Sequence, residues 1–413
     1  MRTGKTDCGL LYAVKKSGTA VGYCSLSIRC GTRDEEGFHS GIAHFTEHAL
    51  FKGTARKSAR VINNYLDRLG GELNAFTTKE EIVLHATVLG EDTFKAAALL
   101  LELATSPTFP KEEIETERGV VAEEIRSAKD SPADDIYDAF ERACFEGHPL
   151  GSPILGTVAS TRKITSKELA RFCAAHFHPG RMALTVVAGE DEARLEKKVL
   201  QLAGKTFGTV PAPAAPAAPS PRVLVPAPFR TFDVTADKRN HEVNAILGGM
   251  APSLADGPRR FAAILLANIL GGPASNSLLN DLLRERNGWV YGVECSYAQY
   301  ADAGLVAVSL GCERQNLDKC LRGVDDVIRK MQENLLSDRQ LRAAKKQLLG
   351  QLAIASESGE SQCLSMGKSL LSFGRVATDS EQRAAVEAVT AEDLRDLAGS
   401  IFDPGRRSRM VYL

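Results

Sequence analysis

The segment His44-Phe45-Thr46-Glu47-His48 carries the most specific chemical signal in the sequence. An α-helix turns about 100° per residue, so we expect His44 and His48 to lie one turn apart on one face. Two imidazoles at that spacing can hold one Zn²⁺ ion. Glu47 falls on the edge of the same face, where its carboxylate can act on a water molecule without binding the metal.

A third metal ligand must come from another part of the chain, because catalytic zinc usually takes three protein ligands and one water. The predicted acidic helix over residues 113–125 offers candidates. Four of its positions share one stripe at helical spacing: Glu117, Val120, Val121 and Glu124. Carboxylates buried beside valines need a partner. We therefore choose Glu124 as the third ligand and assign Glu117 to a supporting role behind the ligands.

The same acidic helix has a simpler interpretation. Glu124 can form a surface ion pair with Arg118 or Arg126, and the spacing alone gives this pair and the metal ligand equal weight. Glu123 lies about 100° further round the helix and is read as a solvent-facing charge. A bare His-x-x-x-His pair is more often structural than metal-binding, so the metal prediction depends on the embedded Glu47 and the acidic helix together.

The composition places the chain among ordinary globular proteins. Its 413 residues include 51 Lys+Arg and 52 Asp+Glu, which give a net charge of −1, with 44% hydrophobic residues. These values exclude overall disorder and give no polybasic signal, so we expect neither a nucleic-acid partner nor membrane association. The nine cysteines are scattered, without a CxxC pair. We therefore expect a reducing, cytoplasmic location, and we recognise no signal peptide at the N-terminus.

A Pro/Ala-rich segment divides the chain into two nearly equal halves. Alternating Pro and Ala disfavour a helix interior, so we predict an N-terminal domain over 1–208, a linker over 209–223 and a C-terminal domain over 224–413. Both halves show a strand, then a helix ended by Gly-Gly, then further strands. This shared order indicates two related domains of mixed α and β structure.

Three strings carry a resemblance to a known family: GIAHFTEHALFKGT, LGGELNAFTTKEE and ERGVVAEEI. With the inverted H-x-x-E-H signature, they resemble the M16 (pitrilysin-like) zinc metallopeptidases, and the match covers essentially the whole chain. The resemblance implies an α+β fold of two related domains, each an antiparallel sheet packed with helices. It also implies a dimer that encloses a clam-like chamber. The third ligand of the family, a Glu seven residues after the Glu of an ER dipeptide, maps onto Glu124, with Glu117 as that earlier Glu.

The resemblance also implies substrate contacts in both halves of the chain. In the family a peptide lies extended along an edge strand, at the position that Asn74, Ala75 and Phe76 occupy here. An Arg and a Tyr from the second half help to hold the substrate or the developing oxyanion, and these match Arg284 and Tyr291. Outside this resemblance, Arg284 would be read as a helix-surface charge and Tyr291 as a core aromatic.

Our leading hypothesis is a zinc metalloendopeptidase with one Zn²⁺ per chain that acts on short or unfolded polypeptides. Because both halves keep their site residues, we favour a homodimer, with a heterodimer left open. The alternative is a non-catalytic subunit of the same fold that serves a processing complex as a structural or peptide-binding partner. A third interpretation, a zinc-binding regulatory or storage protein, predicts tight metal binding without peptide cleavage.

Overall fold

The computed structural model describes residues 1–208, 229–238 and 240–413. The predicted linker over 209–223 lies outside the described residues. The described chain packs into two units, the first made of residues 1–126, 152–208 and 354–377. The second contains residues 127–151, 229–353 apart from 239, and 378–413. The predicted domains follow chain order, whereas the packing gives each unit one segment from the other half of the chain.

Strands and helices are distributed over both units. The described strands, in chain order, are β1 Arg2–Lys5, β2 Leu11–Lys16, β3 Val21–Ile28, β4 Glu72–Thr77, β5 Ile82–Leu89, β6 Met182–Ala188, β7 Asp233–Ala236, β8 Glu242–Ala251, β9 Val290–Gln299, β10 Gly304–Glu313 and β11 Ser408–Tyr412. The described α-helices are α1 Ile42–Leu50, α2 Ala59–Asp67, α3 Thr93–Thr105, α4 Lys111–Asp130, α5 Pro132–Cys144, α6 Val158–Thr161, α7 Ser166–His176, α8 Glu192–Phe207, α9 Arg259–Gly271, α10 Leu317–Glu333, α11 Asp338–Ala355, α12 Gly359–Phe373, α13 Asp379–Ala388 and α14 Ala391–Ile401. No described helix has the length and apolar composition needed to cross a bilayer.

The first unit is built on a six-stranded sheet in the order β1-β2-β6-β3-β5-β4. Neighbouring strands within this sheet are antiparallel, except for β2 and β6, which run parallel. Parallel neighbours need a long crossover connection, and here most of the unit lies between these two strands. The main core, with fully buried Leu26, Leu84 and Leu100, includes residues of α1, α3, α7 and α8. The segment from the other half of the chain, α12, packs against β3 and β6.

The second unit repeats this plan with a five-stranded sheet in the order β7-β11-β8-β10-β9. Among its described strands, β7 and β11 form the one parallel pair. Residues of α9, α10 and α14 contribute to one hydrophobic cluster, whereas α5, the segment from the first half, forms a second cluster with β8 and β11. The prediction of an α+β fold with two related domains is confirmed, with one parallel pair added to each otherwise antiparallel sheet.

Candidate metal centre

Helix α1 carries both histidines and packs firmly into the core of the first unit. Its apolar side chains Ile42, Phe45 and Leu50 are fully buried in the core of the first unit. One turn apart, the rings of His44 and His48 lie with their centroids 4.6 Å from each other. The helical spacing in the sequence therefore produces the pair of imidazoles that was expected.

Helix α4 brings Glu124 to this pair of imidazoles. Its Oε1 lies 3.6 Å from His44 Nε2, and its Oε2 lies 3.4 Å from His48 Nε2. One ligand atom from each of the three residues lies within 4.8 Å of the others. Among the residues that the structure describes, this is the one group of three or more His, Cys, Asp and Glu side chains that converges so closely. Two imidazole nitrogens and a carboxylate oxygen form a donor set that suits Zn²⁺.

The alternative ion pairs for Glu124 are not formed. Arg126 pairs with Glu123, and Arg118 pairs with Glu115 at 3.1 Å. The Glu124 side chain is 44% exposed, so its carboxylate is accessible.

The expected burial of the whole acidic stripe was wrong in part. Val121 is fully buried, but Val120 is 49% exposed. Position 120 lies about 60° round the helix from position 117, which is enough to place its side chain at the border with solvent. Glu117 is 5% exposed and faces the protein interior.

Glu117 supports His48 from the side opposite Glu124. His48 Nδ1 lies 2.8 Å from Glu117 Oε1, and Glu117 Oε2 lies 2.5 Å from Lys52 Nζ. A carboxylate can only accept, so Nδ1 donates this bond, and in the neutral imidazole Nε2 keeps its lone pair. That tautomer is the one a metal on the Glu124 side requires. Sequence reasoning missed Lys52, although its position one helical turn after His48 was a usable signal.

The charges of this cluster favour a cation. Burial alone lowers the pKa of His48, but its bond to Glu117 and the charges of Glu124 and Glu47 raise it overall. Burial by itself raises the pKa of Glu117. The hydrogen bonds from His48 and Lys52 outweigh this effect and bring the pKa below its usual value. The contact with His44 lowers the pKa of Glu124 despite partial burial. The carboxylates are thus held ionised beside the two imidazoles, where a metal ion can replace protons.

Glu47 is held by the edge strand of the first sheet. Thr77 Oγ1 donates to Glu47 Oε2 at 2.5 Å. Thr77 is the last residue of β4, and among the described strands β4 pairs only with β5. The predicted contact residues Asn74, Ala75 and Phe76 precede Thr77 on this strand, with Asn74 and Phe76 exposed and Ala75 half-buried. The sequence did not single out Thr77, because its role depends on a contact with a distant helix.

Arg284 and Tyr291 belong to the second unit. Arg284 lies in a π-helical stretch, Asn280–Arg286, where it pairs with Glu285 at 2.9 Å. Tyr291 lies on the edge strand β9 and is 63% exposed, which contradicts a core position. Both side chains are accessible, and their contribution to the metal centre of the first unit stays a prediction.

Comparison with known proteins identifies the family. The model of insulinase (peptidase family M16) matches residues 11–158, and the model of the peptidase M16 inactive domain matches residues 163–348. A protein of Streptomyces coelicolor described as an uncharacterized zinc protease is 32% identical, over 93% of this chain and 82% of its own. The chain belongs to peptidase family M16. A second such zinc protease, from Bacillus subtilis, is 31% identical over 91% of this chain and 89% of its own.

Two solved structures share the fold of this chain. A protease from Helicobacter pylori superposes with a TM-score of 0.88 at 20% identity, covering 100% of this chain and 98% of that one. A peptidase M16 inactive domain from Pseudomonas fluorescens gives a TM-score of 0.84 at 18% identity, covering 100% and 97%. At these identities the likeness concerns the fold alone.

We expect Glu117→Ala to weaken zinc binding by this M16 protein about 10–100-fold, because His48 loses the partner that orients its ring. Competition with a chromophoric chelator measures the affinity. Glu115→Ala on the same helix is the matched control, since Glu115 is exposed and pairs with Arg118 on the same helix. Unchanged zinc affinity in a folded Glu117→Ala protein would contradict the supporting role.

Proposed function

We propose that this protein is a zinc-dependent endopeptidase that cleaves short or unfolded polypeptides bound as an extended strand. The observation that carries the proposal is the convergence of His44, His48 and Glu124, with the charge of Glu47 acting on His48. Membership of an M16 family whose relatives are described as zinc proteases supports the same chemistry.

The metal fits the residues present. His44, His48 and Glu124 would hold one Zn²⁺ per chain, with His48 oriented by Glu117. When bound, zinc polarises the peptide carbonyl and makes water more acidic. Other divalent ions such as Mn²⁺ or Co²⁺ also accept nitrogen and oxygen ligands, and metal analysis distinguishes them.

Glu47 is the proposed general base. Its carboxylate accepts a proton from the attacking water and passes that proton to the amine that leaves. The hydrogen bond from Thr77 holds Oε2, and Oε1 would then be the atom that takes up the proton. A fixed base orientation matters because proton transfer requires hydrogen-bond distance in the transition state.

Strand β4 is the proposed binding edge for substrate. An extended peptide can add to an open sheet edge by main-chain hydrogen bonds, which accept many sequences, while alternate side chains supply preference. On β4 the side chains of Asn74 and Phe76 face one way, and those of Ala75 and Thr77 face the other. Since Thr77 contacts Glu47, the strand that would pair with the peptide also holds the proposed base.

We expect Thr77→Val to lower kcat about 10–100-fold with little change in zinc affinity, because it removes one hydrogen bond to a charged group. Thr77→Ser keeps the hydroxyl and should retain most of the activity. Steady-state kinetics with a quenched peptide, together with zinc titration, separate the two effects. Equal kcat in Thr77→Val and wild-type protein would remove Thr77 from the positioning of Glu47.

The proposal extends to the second half and to the assembly. Arg284 and Tyr291 would supply donors for the oxyanion, as preorganised charge does in acyl transfer. We take 1–208 as the catalytic half, 209–223 as the linker and 224–413 as the half that adds these contacts.

A homodimer with an enclosed chamber is the proposed assembly. The nine buried, free cysteines favour a reducing, cytoplasmic compartment.

A non-catalytic subunit remains the second candidate, because residues 163–348 match a domain model that is named inactive. That match concerns the second half, whereas the proposed metal ligands and base lie in the first. The experiment uses the purified full chain with a quenched peptide, a chelator and zinc restoration, together with a size measurement. Cleavage that the chelator abolishes and zinc restores supports the peptidase. Stoichiometric zinc without cleavage of any peptide in a broad library contradicts it.

A further inference from the structure

The helix that carries the metal-binding histidines begins without a side-chain cap of its own. The residue at its N-cap is Gly41, with φ of 89°. A Cβ at this position would lie 2.7 Å from the carbonyl oxygen of Leu155 and 2.9 Å from Gly156 Cα. Both the left-handed backbone and this close approach favour glycine. A Ser, Thr, Asp or Asn, which usually caps a helix, is therefore disfavoured at the position where the cap is needed.

Glu35 supplies the missing cap from six residues earlier. Its Oε1 accepts hydrogen bonds from the backbone N–H groups of Gly41 and Ala43, both at 3.1 Å, and its Oε2 also accepts from Gly41 at 3.1 Å. The residue is only 8% exposed. Its carboxylate thus occupies the electropositive N-terminus of α1, where a negative charge is favourable.

Keeping this carboxylate buried is costly. Burial raises the pKa of Glu35 to about 7, although the N–H groups of Ala43 and Gly41 and the charge of Lys79 act in the opposite direction. A buried carboxyl group without a specific hydrogen-bonding role could be replaced by an apolar side chain of similar volume. Here its acceptor atoms satisfy N–H groups of the first turn of α1, which an apolar side chain would leave unpaired.

The two imidazoles of the metal centre depend on this turn to different degrees. His48 is oriented through Nδ1 by Glu117. The Nδ1 atom of His44 is buried and has no hydrogen-bond partner among the described residues. The orientation of the His44 ring therefore relies on the backbone of α1 and on packing. His44 directly follows Ala43, whose N–H group donates a hydrogen bond to Glu35.

We propose that Glu35 is a positioning residue of the metal centre, which holds the first turn of α1 so that His44 presents Nε2 to the metal. This inference rests on the proposed zinc site. The same Oε1 atom serves both N–H groups, so an amide oxygen in its place can do the same. The acceptor at this position, more than its charge, is what the geometry requires.

The test compares zinc affinity in three variants of the full chain. We expect Glu35→Ala to weaken zinc binding about 10-fold, within the range for residues that orient metal ligands. Glu35→Gln should stay within about 3-fold of wild type, because its carbonyl oxygen can accept both bonds. Glu36→Ala is the matched control, since Glu36 is exposed and next to Glu35 in the chain. The visible spectrum of the Co²⁺-loaded Glu35→Ala protein should differ from wild type, as a displaced His44 changes the coordination.

A second measurement needs no metal. In the metal-free wild-type protein, we expect the Gly41 and Ala43 amides to exchange slowly with deuterium, and Glu35→Gln should retain this protection. If Glu35→Ala does not fold, the exchange data and the zinc affinity of Glu35→Gln decide. Unprotected amides in the wild type, zinc binding by folded Glu35→Ala equal to wild type, or a Glu35→Gln affinity reduced 10-fold or more would each overturn the inference. A wild-type protein that binds zinc without cleaving peptides would overturn only the proposed function.

Discussion

Glu47→Gln is expected to bind zinc as the wild type does and to lose about 10²–10⁴-fold in kcat, the usual contribution of a positioned general base. The amide is nearly isosteric and can still accept the hydrogen bond from Thr77, so the local structure should persist. It cannot take up the proton of the attacking water. Quenched-peptide kinetics and metal analysis on the same preparation measure both properties.

The control for this variant is Glu112→Gln, which neutralises an exposed carboxylate in the first turn of α4. It changes the net charge equally and should leave kcat unchanged. A zinc-loaded Glu47→Gln protein with wild-type turnover would dismiss Glu47 as the base. Loss of zinc from this variant would instead make Glu47 a metal ligand, and the assigned roles of Glu47 and Glu124 would need revision.

Glu124→Ala is expected to weaken zinc binding more than about 100-fold, beyond the range for residues that only orient ligands, because it removes a ligand outright. His44 and His48 would remain as a pair, and two imidazoles alone bind zinc weakly at neutral pH. Peptide cleavage at limiting zinc should fall in proportion to occupancy. Chelator competition gives the affinity, and metal analysis after gel filtration gives the stoichiometry.

Glu123→Ala provides a closely matched comparison for Glu124→Ala. The two carboxylates are adjacent on α4, but Glu123 pairs with Arg126 and is 73% exposed, whereas Glu124 lies 3.6 Å or less from both histidines. Charge effects of the two substitutions are therefore similar and only one removes the proposed ligand. Equal zinc affinity in the two variants would mean that another carboxylate completes the site.

Predictions from the sequence were most accurate where one element contains its own periodicity. The histidine pair and the stripe of Glu117 and Glu124 follow from helical spacing alone, and α1 and α4 form where this spacing predicts helices. Predictions were weaker where contacts join distant segments. Strands β2 and β3 follow one another in the chain, yet they are not neighbours in the sheet, since β6 lies between them.

The supporting residues of the site show the same limit. Thr77 and Glu35 have ordinary sequence surroundings, and their contacts became visible only in the folded chain. A charged or hydroxyl side chain on a surface segment and one that orients a metal ligand have the same residue type. What distinguishes them is the partner, which the local sequence does not specify.

Residue types and helical spacing were enough to predict two imidazoles and a carboxylate on one helix, a further acidic helix, and two related α+β halves. Helical periodicity is a local property, so these features can be read without knowledge of the fold. The folded chain was needed to see that Glu124 approaches both imidazoles, that Glu117 orients His48, and that β4 lies at the edge of the described sheet. Those outcomes depend on the packing of α4 and β4 against α1, and the free energy of such packing is spread over many residues far apart in the chain.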